Sequence, residues 1–173
     1  MTYSDPDAHH TTDSLRTEKL RTVPFWVKLL GSGFFSGFFP VAPGTAGSIA
    51  ALALYWFIPG FEQWYILGGI SLLFLAIGIY CAQKLEDALG PDPPVVVIDE
   101  MVGMWISLIA VPKGLLLVLS AFLVFRIFDI IKPPPARQFD KMPGGFGIMM
   151  DDVAAGIYAN IVIRMIIFLP AQF

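Results

Sequence analysis

The chain has 173 residues, which is enough for one domain with a substantial core and too few for two ordinary ones. Hydrophobic residues make up 56% of it and charged residues only 14%, whereas a typical soluble domain carries about 25% charged residues. With a formal net charge of −3, this composition disfavours disordered chains, basic nucleic-acid binders and ordinary soluble enzymes, and it is typical of a membrane protein.

The first 23 residues are polar, and they contain the only two histidines, His9 and His10. They lack the apolar stretch and the small-residue cleavage site of a secretory signal peptide, so residues 1–23 are predicted to be a disordered tail. Residues 24–173 are predicted to form a single folded domain. It begins with an aromatic segment, residues 24–39, whose Trp and Phe residues beside Lys28 are typical of chain lying at the level of the lipid headgroups.

Five hydrophobic helices are predicted after this segment. Proline, glycine and charged residues mark the breaks between them, because these residues end a helix or interrupt the apolar pattern. The predicted helices cover roughly residues 45–58, 64–83, 97–111, 114–131 and 152–169, and residues 84–96 and 132–150 are predicted loops. The expected fold is therefore all-α, a multi-helix membrane bundle of about five hydrophobic helices.

If these helices alternate across a membrane, the positively charged residues gather on one side. Eight Lys and Arg residues fall on the side of the N-terminus, and only Lys113 falls on the other unless Arg164 reaches it. The positive-inside rule then places the N-terminus in the cytoplasm. The helices 45–58 and 97–111 span only about 22 Å against a hydrocarbon core of about 30 Å, so the number of true crossings stays open.

The polar motifs all fall on the predicted cytoplasmic side. They are a glycine-rich turn with Thr45 and Ser48, the pair Asp99-Glu100, the triplet Arg126, Asp129 and Lys132 on one helix face, and the pair Asp151-Asp152 that opens the fifth helix. Acids at helix N-termini and cations at C-termini also fit simple capping of the helix dipole. Capping does not explain the whole set, because ionisable groups within an apolar stretch are typical of functional sites.

This cluster has the composition of a metal-assisted phosphate site. With the neighbouring Asp140, Arg137 and Lys141 included, six acids against four bases leave a net charge of −2. Acids that converge without a cation repel one another. Carboxylates without His or Cys are hard oxygen ligands, which suit Mg²⁺ and not Zn²⁺. Arg and Lys suit a phosphate, and a glycine-rich helix N-terminus offers N–H groups to the same anion. The cluster therefore predicts metal-assisted phosphoryl chemistry at a membrane surface.

Two other phosphatase chemistries are disfavoured by the sequence. A histidine nucleophile is not expected, since both histidines lie in the predicted tail. Cys81 is followed six residues later by Asp87 and not by Arg, so it does not form a Cys-x₅-Arg phosphate loop. Cys81 lies in an apolar helix and is predicted to serve packing.

Four blocks of sequence resemble the phosphatidylglycerophosphatase A family of bacterial membranes. They are Pro43–Ser48, Val97–Trp105, Phe125–Pro133 and Gly144–Gly156, in the family's order and within about residues 30–170. The resemblance implies an all-helical fold and Mg²⁺-dependent removal of the terminal phosphate of phosphatidylglycerophosphate, giving phosphatidylglycerol. It also implies a phospholipid substrate and a place in the bacterial cytoplasmic membrane.

The expected protein is thus a phosphoric monoester hydrolase of phospholipid biosynthesis, multi-pass, with its active site facing the cytoplasm. One or two Mg²⁺ ions would be held by Asp99, Glu100, Asp129, Asp151 and Asp152, with Asp99, Asp129 and Asp151 as the catalytic residues. Arg126 and Lys132 would bind the phosphate, helped by Thr45 and Ser48. A metal-activated water is the expected attacking group, and a carboxylate nucleophile stays open as the alternative.

Two rival functions follow from the same residues. A transporter or ion carrier would use intramembrane carboxylates, but it predicts polar groups near the bilayer midplane instead of at one end of the helices. A lipid headgroup transferase would need a second substrate pocket, for which the sequence holds no evidence either way. No nucleic-acid partner is expected, and the sequence does not indicate an oligomeric state.

Overall fold

The computed structural model describes residues 18–168, and this part of the chain is helical with no β-strand. Residues 18–22, at the end of the predicted tail, are helical, while residues 1–17 lie outside the described part. A 3₁₀ turn, Ser36–Phe38, follows the first of the helices that we number here. These are α1 (Phe25–Gly31), α2 (Pro43–Phe57), α3 (Trp64–Leu89), α4 (Ile98–Leu108), α5 (Leu115–Ile131), α6 (Ala136–Phe139) and α7 (Gly144–Phe168).

Helix α3 is longer than the sequence pattern predicted. It continues through residues 84–89, which were predicted to begin a loop, and stops at Gly90. This glycine has a φ of 99°, a conformation that glycine adopts without strain where a helix ends. The loop prediction relied on charge and on Pro91, Pro93 and Pro94, but these prolines all follow Gly90, and most residues just before Gly90 are good helix formers.

Helix α7 begins at Gly144, two turns before the predicted start at residue 152. The prediction that Asp151 and Asp152 open this helix was therefore wrong, because both lie in its interior. The glycines before them read as a loop in sequence, yet they allow close packing against α3. A Cβ on Gly145 would overlap the carbonyl oxygen of Ile79, and the Gly145 N–H donates a hydrogen bond to Gln83 Oε1 at 3.0 Å.

Helix α4 is the central helix of the bundle. Nine of its eleven residues are buried, and it contacts α2, α3, α5 and α7. Trp105 anchors it by donating from Nε1 to the carbonyl oxygen of Ala51 at 3.0 Å. At about 1.5 Å per residue this helix is about 16 Å long, so it is an enclosed core helix shorter than a hydrocarbon layer.

Two helices, α3 and α7, are long and apolar enough to cross a membrane. Only 28% of the apolar window of α3 is buried within the protein. The outer surface carries many exposed large apolar side chains, among them Leu72, Leu73, Leu116, Leu119, Leu123, Ile161, Met165 and Ile166. Exposed apolar surface of this kind on long helices indicates a membrane protein.

The two ends of the bundle differ in chemistry. At one end the short connections before α3 and before α5 lie together, joined by an ion pair of 3.2 Å between Lys113 Nζ and Glu62 Oε2. At the other end meet the N-terminal parts of α2, α4 and α7 and the C-terminal parts of α3 and α5, as shown by the cleft that they line. The antiparallel order of the helices therefore brings five separate stretches of sequence to one place.

Candidate active site

A cleft of about 470 Å³ opens at the end of the bundle where these five helices meet. Eight carboxylates and two lysines line it, together with prolines and a few apolar side chains. The charged lining residues are Glu86, Asp92, Asp99, Glu100, Asp129, Lys132, Asp140, Lys141, Asp151 and Asp152. Six of the predicted site residues are thus brought together, and the surplus of negative charge calls for a cation.

Three of the acids form a compact group, the acid trio of Asp99, Glu100 and Asp152. One carboxylate oxygen from each lies within 4.8 Å of the others. Asp99 Oδ1, Glu100 Oε2 and Asp152 Oδ2 are buried and have no hydrogen-bond partner among the described residues. Buried carboxylate oxygens without partners are costly, and a bound cation would satisfy all three. The trio therefore fits a divalent metal with oxygen ligands.

The trio is held in place by a close crossing of α4 and α7 at two glycines. A Cβ on Gly103 would lie 2.7 Å from the backbone oxygen of Asp152, and a Cβ on Gly156 would overlap the backbone of Gly103. Gly103 is one helical turn after Asp99, and Gly156 is one turn after Asp152. Because both positions lack a side chain, the helices approach closely enough for the two acids to meet.

Asp129 and Arg126 of α5 flank the trio. Asp129 lies beside Glu100 and Asp152. Its Oδ2 is 2.6 Å from Arg126 Nη1, one turn earlier on the same helix face. Gly44 lies against α4 and α5, since a Cβ built on it would overlap Glu100 and come within 3.3 Å of Arg126. Arg126 does not line the cleft and instead holds Asp129 from behind.

Lys132 joins the remaining acids at the C-terminus of α5. Its Nζ donates hydrogen bonds to Asp140 and to Asp151 Oδ2, the latter at 2.7 Å. Burial lowers the pKa of Lys132, but the hydrogen bonds and charges of Asp140 and Asp151 outweigh burial and raise its pKa above the ordinary value. Lys132 therefore stays cationic at neutral pH, and Asp151 faces this lysine rather than joining the trio.

The glycine-rich turn presents its backbone to the cleft. Pro43 and Gly44 line the cleft, whereas Thr45 and Ser48 do not. Ser48 is buried, and its Oγ donates to the carbonyl oxygen of Gly44 at 3.0 Å within the helix. The N-terminal end of α2, with its free N–H groups and partial positive charge, is thus the part of this motif that faces an incoming anion.

Glu86, Asp92, Asp140 and Lys141 line the cleft although none was predicted as a site residue. Glu86 was missed because its segment was predicted to be a loop. The run of helix formers before Gly90 could have placed it on α3, at the same end as the other acids. Asp140 was counted among the six acids of the predicted cluster without a role of its own, and the fold brings it to Lys132.

Cys81 lies away from this chemistry. Its side chain is buried in a core cluster with Val27, Leu85 and Ile98 and does not line the cleft. The two histidines lie outside the described residues.

Known proteins similar to this chain carry phosphatase names. The family model described as Phosphatidylglycerophosphatase A matches residues 29–167. A Bacteroides thetaiotaomicron protein named "Putative phosphatidylinositol-3-phosphatase" is 48% identical over 144 residues, which cover 79% of this chain and 91% of the relative. No solved structure matches the chain.

Two further relatives share the name of the family. Phosphatidylglycerophosphatase A of Escherichia coli is 42% identical over 132 residues, covering 75% of this chain and 76% of the relative. Phosphatidylglycerophosphatase A of Haemophilus influenzae is 45% identical over 145 residues, covering 79% and 86%. The matched region contains every element that lines the cleft. The chain therefore belongs to the phosphatidylglycerophosphatase A family, a family of phosphoric monoester hydrolases.

Proposed function

We propose that this protein removes the terminal phosphate of phosphatidylglycerophosphate, giving phosphatidylglycerol and inorganic phosphate, in a reaction that requires Mg²⁺. The observation that carries the proposal is the acid trio, whose three buried oxygens lack partners at the floor of a cleft that also contains two lysines. Family membership supplies the reaction class, and the names of two relatives supply the lipid.

In this proposal Asp99, Glu100 and Asp152 hold the metal, with Asp129 beside them. A bound Mg²⁺ supplies positive charge that offsets the negative charge of the phosphoryl group. The donor set consists of carboxylates alone, which suits Mg²⁺ better than zinc or copper. Asp151 stays a candidate ligand and catalytic residue, although Lys132 is its partner in this structure.

The other cleft residues bind and orient the substrate. Lys132 is a fixed cation beside the trio and would exchange one of its two acidic partners for a phosphate oxygen. The backbone N–H groups at the start of α2 would contact the same phosphate. Arg126 holds Asp129 in place from the far side. The phosphate-binding role predicted for the Thr45 and Ser48 side chains would belong instead to the backbone of their turn. The Ser48 hydroxyl stabilises that turn.

The proposed reaction is a hydrolysis with balanced atoms. A water oxygen attacks the phosphorus, the bond between phosphorus and the headgroup oxygen breaks, and the proton lost by the water ends on that oxygen. The products are the headgroup alcohol and inorganic phosphate. We propose water as the attacking group because the trio carboxylates would hold the metal, while Asp129 is paired with Arg126 and Asp151 with Lys132.

We further propose that the protein crosses the bacterial cytoplasmic membrane several times, with the cleft facing the cytoplasm. The eight-to-one distribution of Lys and Arg supports this orientation. The gathering of acids at one end of the bundle, instead of along its length, supports a surface enzyme over the transporter alternative.

A second candidate substrate is phosphatidylinositol 3-phosphate, because the Bacteroides relative is named for that lipid. Both lipids present a phosphomonoester on a polyol headgroup, so the site described here could serve either. A direct assay with each lipid distinguishes between them.

The test is phosphate release by the purified protein in detergent micelles that contain one lipid at a time. We expect release from phosphatidylglycerophosphate with Mg²⁺, loss of release in excess chelator, and recovery when Mg²⁺ is added back. Full turnover in excess chelator would end the metal proposal. Faster release from phosphatidylinositol 3-phosphate would reassign the substrate.

A further inference from the structure

A carboxylate outside the acid trio also lines the cleft. Glu86 lies in the last turn of α3, and Pro91, Asp92 and Pro94, which follow it in sequence, also line the cleft. Its Oε2 is buried and has no hydrogen-bond partner among residues 18–168. Glu86 is not a member of the trio, so a metal held there would leave this oxygen unpaired. The site therefore contains an acceptor that the proposed mechanism does not use.

The partner of this oxygen must be a hydrogen-bond donor. A charged carboxylate only accepts hydrogen bonds, and a phosphate dianion has no proton to offer and repels it. The cleft, at about 470 Å³, has room for the atoms of the headgroup next to the phosphate. A hydroxyl on the substrate headgroup is neutral and donates one hydrogen bond, so it is a partner of the required kind.

The two candidate lipids share such a hydroxyl. In phosphatidylglycerophosphate the carbon next to the one bearing the phosphate ester carries a free hydroxyl, and in phosphatidylinositol 3-phosphate the neighbouring ring carbons do so. Phosphatidate is different, because the neighbouring oxygen is esterified with a fatty acid. A free hydroxyl at this position therefore distinguishes the two candidate lipids from phosphatidate.

We propose that Glu86 determines substrate specificity by accepting a hydrogen bond from the hydroxyl next to the phosphate ester, an inference that rests on the proposed function. A hydroxyl bound to a charged carboxylate makes a stronger hydrogen bond than one between neutral groups. A substrate without the hydroxyl leaves the buried Glu86 oxygen unpaired, and sites built in this way reject such analogues strongly.

The experiment compares two lipids that differ in one atom. Phosphatidylglycerophosphate and its analogue with hydrogen in place of the headgroup hydroxyl are presented in the same micelles with Mg²⁺, and kcat/KM is measured for each. We expect the unaltered protein to prefer the hydroxyl lipid by at least about 30-fold. In Glu86→Ala the preference should fall below about 3-fold, chiefly through loss of activity on the hydroxyl lipid.

Two further variants make the result decisive. Glu86→Gln keeps the shape and an acceptor oxygen but not the charge, so it should retain an intermediate preference even if Glu86→Ala does not fold. Asp87→Asn is the matched control, because Asp87 is exposed, accepts a hydrogen bond from Gln83 at 2.9 Å and does not line the cleft. Its preference should be unchanged.

Two results would overturn the inference while leaving the proposed function intact. One is equal activity of the unaltered protein on both lipids, and the other is an equal loss on both lipids in the Glu86 variants. Release of phosphate from neither lipid by the unaltered protein would overturn the proposed function and this inference with it.

Discussion

The chemistry of each acidic residue in this cleft depends on whether its buried oxygen atoms have ion-pair or hydrogen-bond partners. Asp151 has Lys132, and Asp129 has Arg126, whereas the trio of Asp99, Glu100 and Asp152 retains three oxygens without a partner in the described part of the chain. Acids that only capped helices would point to free N–H groups of a first turn. Asp152 lies in the interior of α7, where its helix offers no such groups.

The first prediction separates metal ligands from structural acids. Asp99→Asn and Asp152→Asn keep the shape of each side chain but remove the charge that a metal needs, so turnover should fall at least about 10²-fold, roughly 2.7 kcal/mol in activation free energy. Folding, followed by circular dichroism in detergent, should be kept. Cys81→Ser serves as the control, since Cys81 is buried away from the cleft, and it should keep most of the activity. Normal rates in both Asn variants would refute the ligand assignment.

The second prediction concerns Lys132. Its pKa is raised in the folded protein, so its contribution to stability is fully present below the unfolded pKa of about 10.4 and is lost only as pH rises through the higher folded value. Lys132→Met leaves Asp140 and Asp151 without their shared cation and should lower stability by about 1–3 kcal/mol. The difference in Tm between the unaltered protein and this variant should stay constant from about pH 7.5 to about pH 9.5.

A difference in Tm that shrinks within this range would show that Lys132 loses its proton there, contrary to its contacts. Lys132→Arg is the matched variant. It keeps the positive charge, so it should recover much of the lost stability, while its planar geometry tests whether a compact ammonium is needed.

Glycine contacts between helices set the geometry of the cleft. Gly103 and Gly156 bring α4 against α7, and Gly145 brings the start of α7 against α3. In a membrane, close approach of helices at small residues stabilises packing that the hydrophobic effect does not supply. Asp99 and Asp152 are thus brought together by backbone contacts one turn away.

The third prediction tests this arrangement. A Cβ at residue 103 would lie 2.6 Å from Phe125 Cε2 and 2.7 Å from the Asp152 backbone oxygen, so Gly103→Ala must push α4 away from α7. We expect a loss of about 1–3 kcal/mol in stability and at least about 10-fold in turnover, because the two acids separate. Gly68→Ala is the control, since nothing lies within 4 Å of that position, and it should leave turnover unchanged.

Turnover in Gly103→Ala that matches Gly68→Ala would show that the trio tolerates separation of the helices. A variant that loses stability without losing turnover per folded molecule would point to the same conclusion. Binding of Mn²⁺ as a stand-in for Mg²⁺, measured on each variant, adds a readout that does not depend on activity.

The pattern of apolar runs predicted helices that overlap α2, α3, α4, α5 and α7 in this order. It did not include α1 and α6, and it misplaced the beginning of α7 and the end of α3. Glycines and charged residues near a break were interpreted as loop. Gly145 is nevertheless helical, and its lack of a side chain allows the backbone of α3 to pack closely against it. Such a requirement comes from a contact between distant residues, which local sequence does not contain.

The candidate site was predictable to a similar extent. Acids placed on one face by helix alternation do meet in one cleft, as Asp99, Asp129 and Asp152 show. Their division into a trio and a lysine-bound partner was not predictable, since Asp151 and Asp152 are adjacent in sequence and diverge only because α7 turns them to different neighbours.

For the whole molecule, the distribution of charge and the direction of the helices point to one arrangement in the membrane. The cleft lies at the end where α3 finishes and α7 begins, and Gln63 immediately precedes α3 at the opposite end. Gln138 is exposed on α6, which leads into α7 near the cleft. These two glutamines therefore report on the two ends of the bundle with small risk to the core.

The last prediction concerns the side of the membrane that the cleft faces. In a Cys81→Ser background, a single cysteine at residue 63 or residue 138 replaces an exposed glutamine, so neither change should disturb packing. An impermeant thiol reagent added to intact cells should label residue 63 and should reach residue 138 only after the membrane is opened, because the lysine-rich end faces the cytoplasm in the proposed topology. The reverse pattern would place the cleft on the outer face. Labelling of both residues in intact cells would contradict a bundle that crosses the membrane, since the two positions lie at opposite ends of the bundle and would then share one aqueous side.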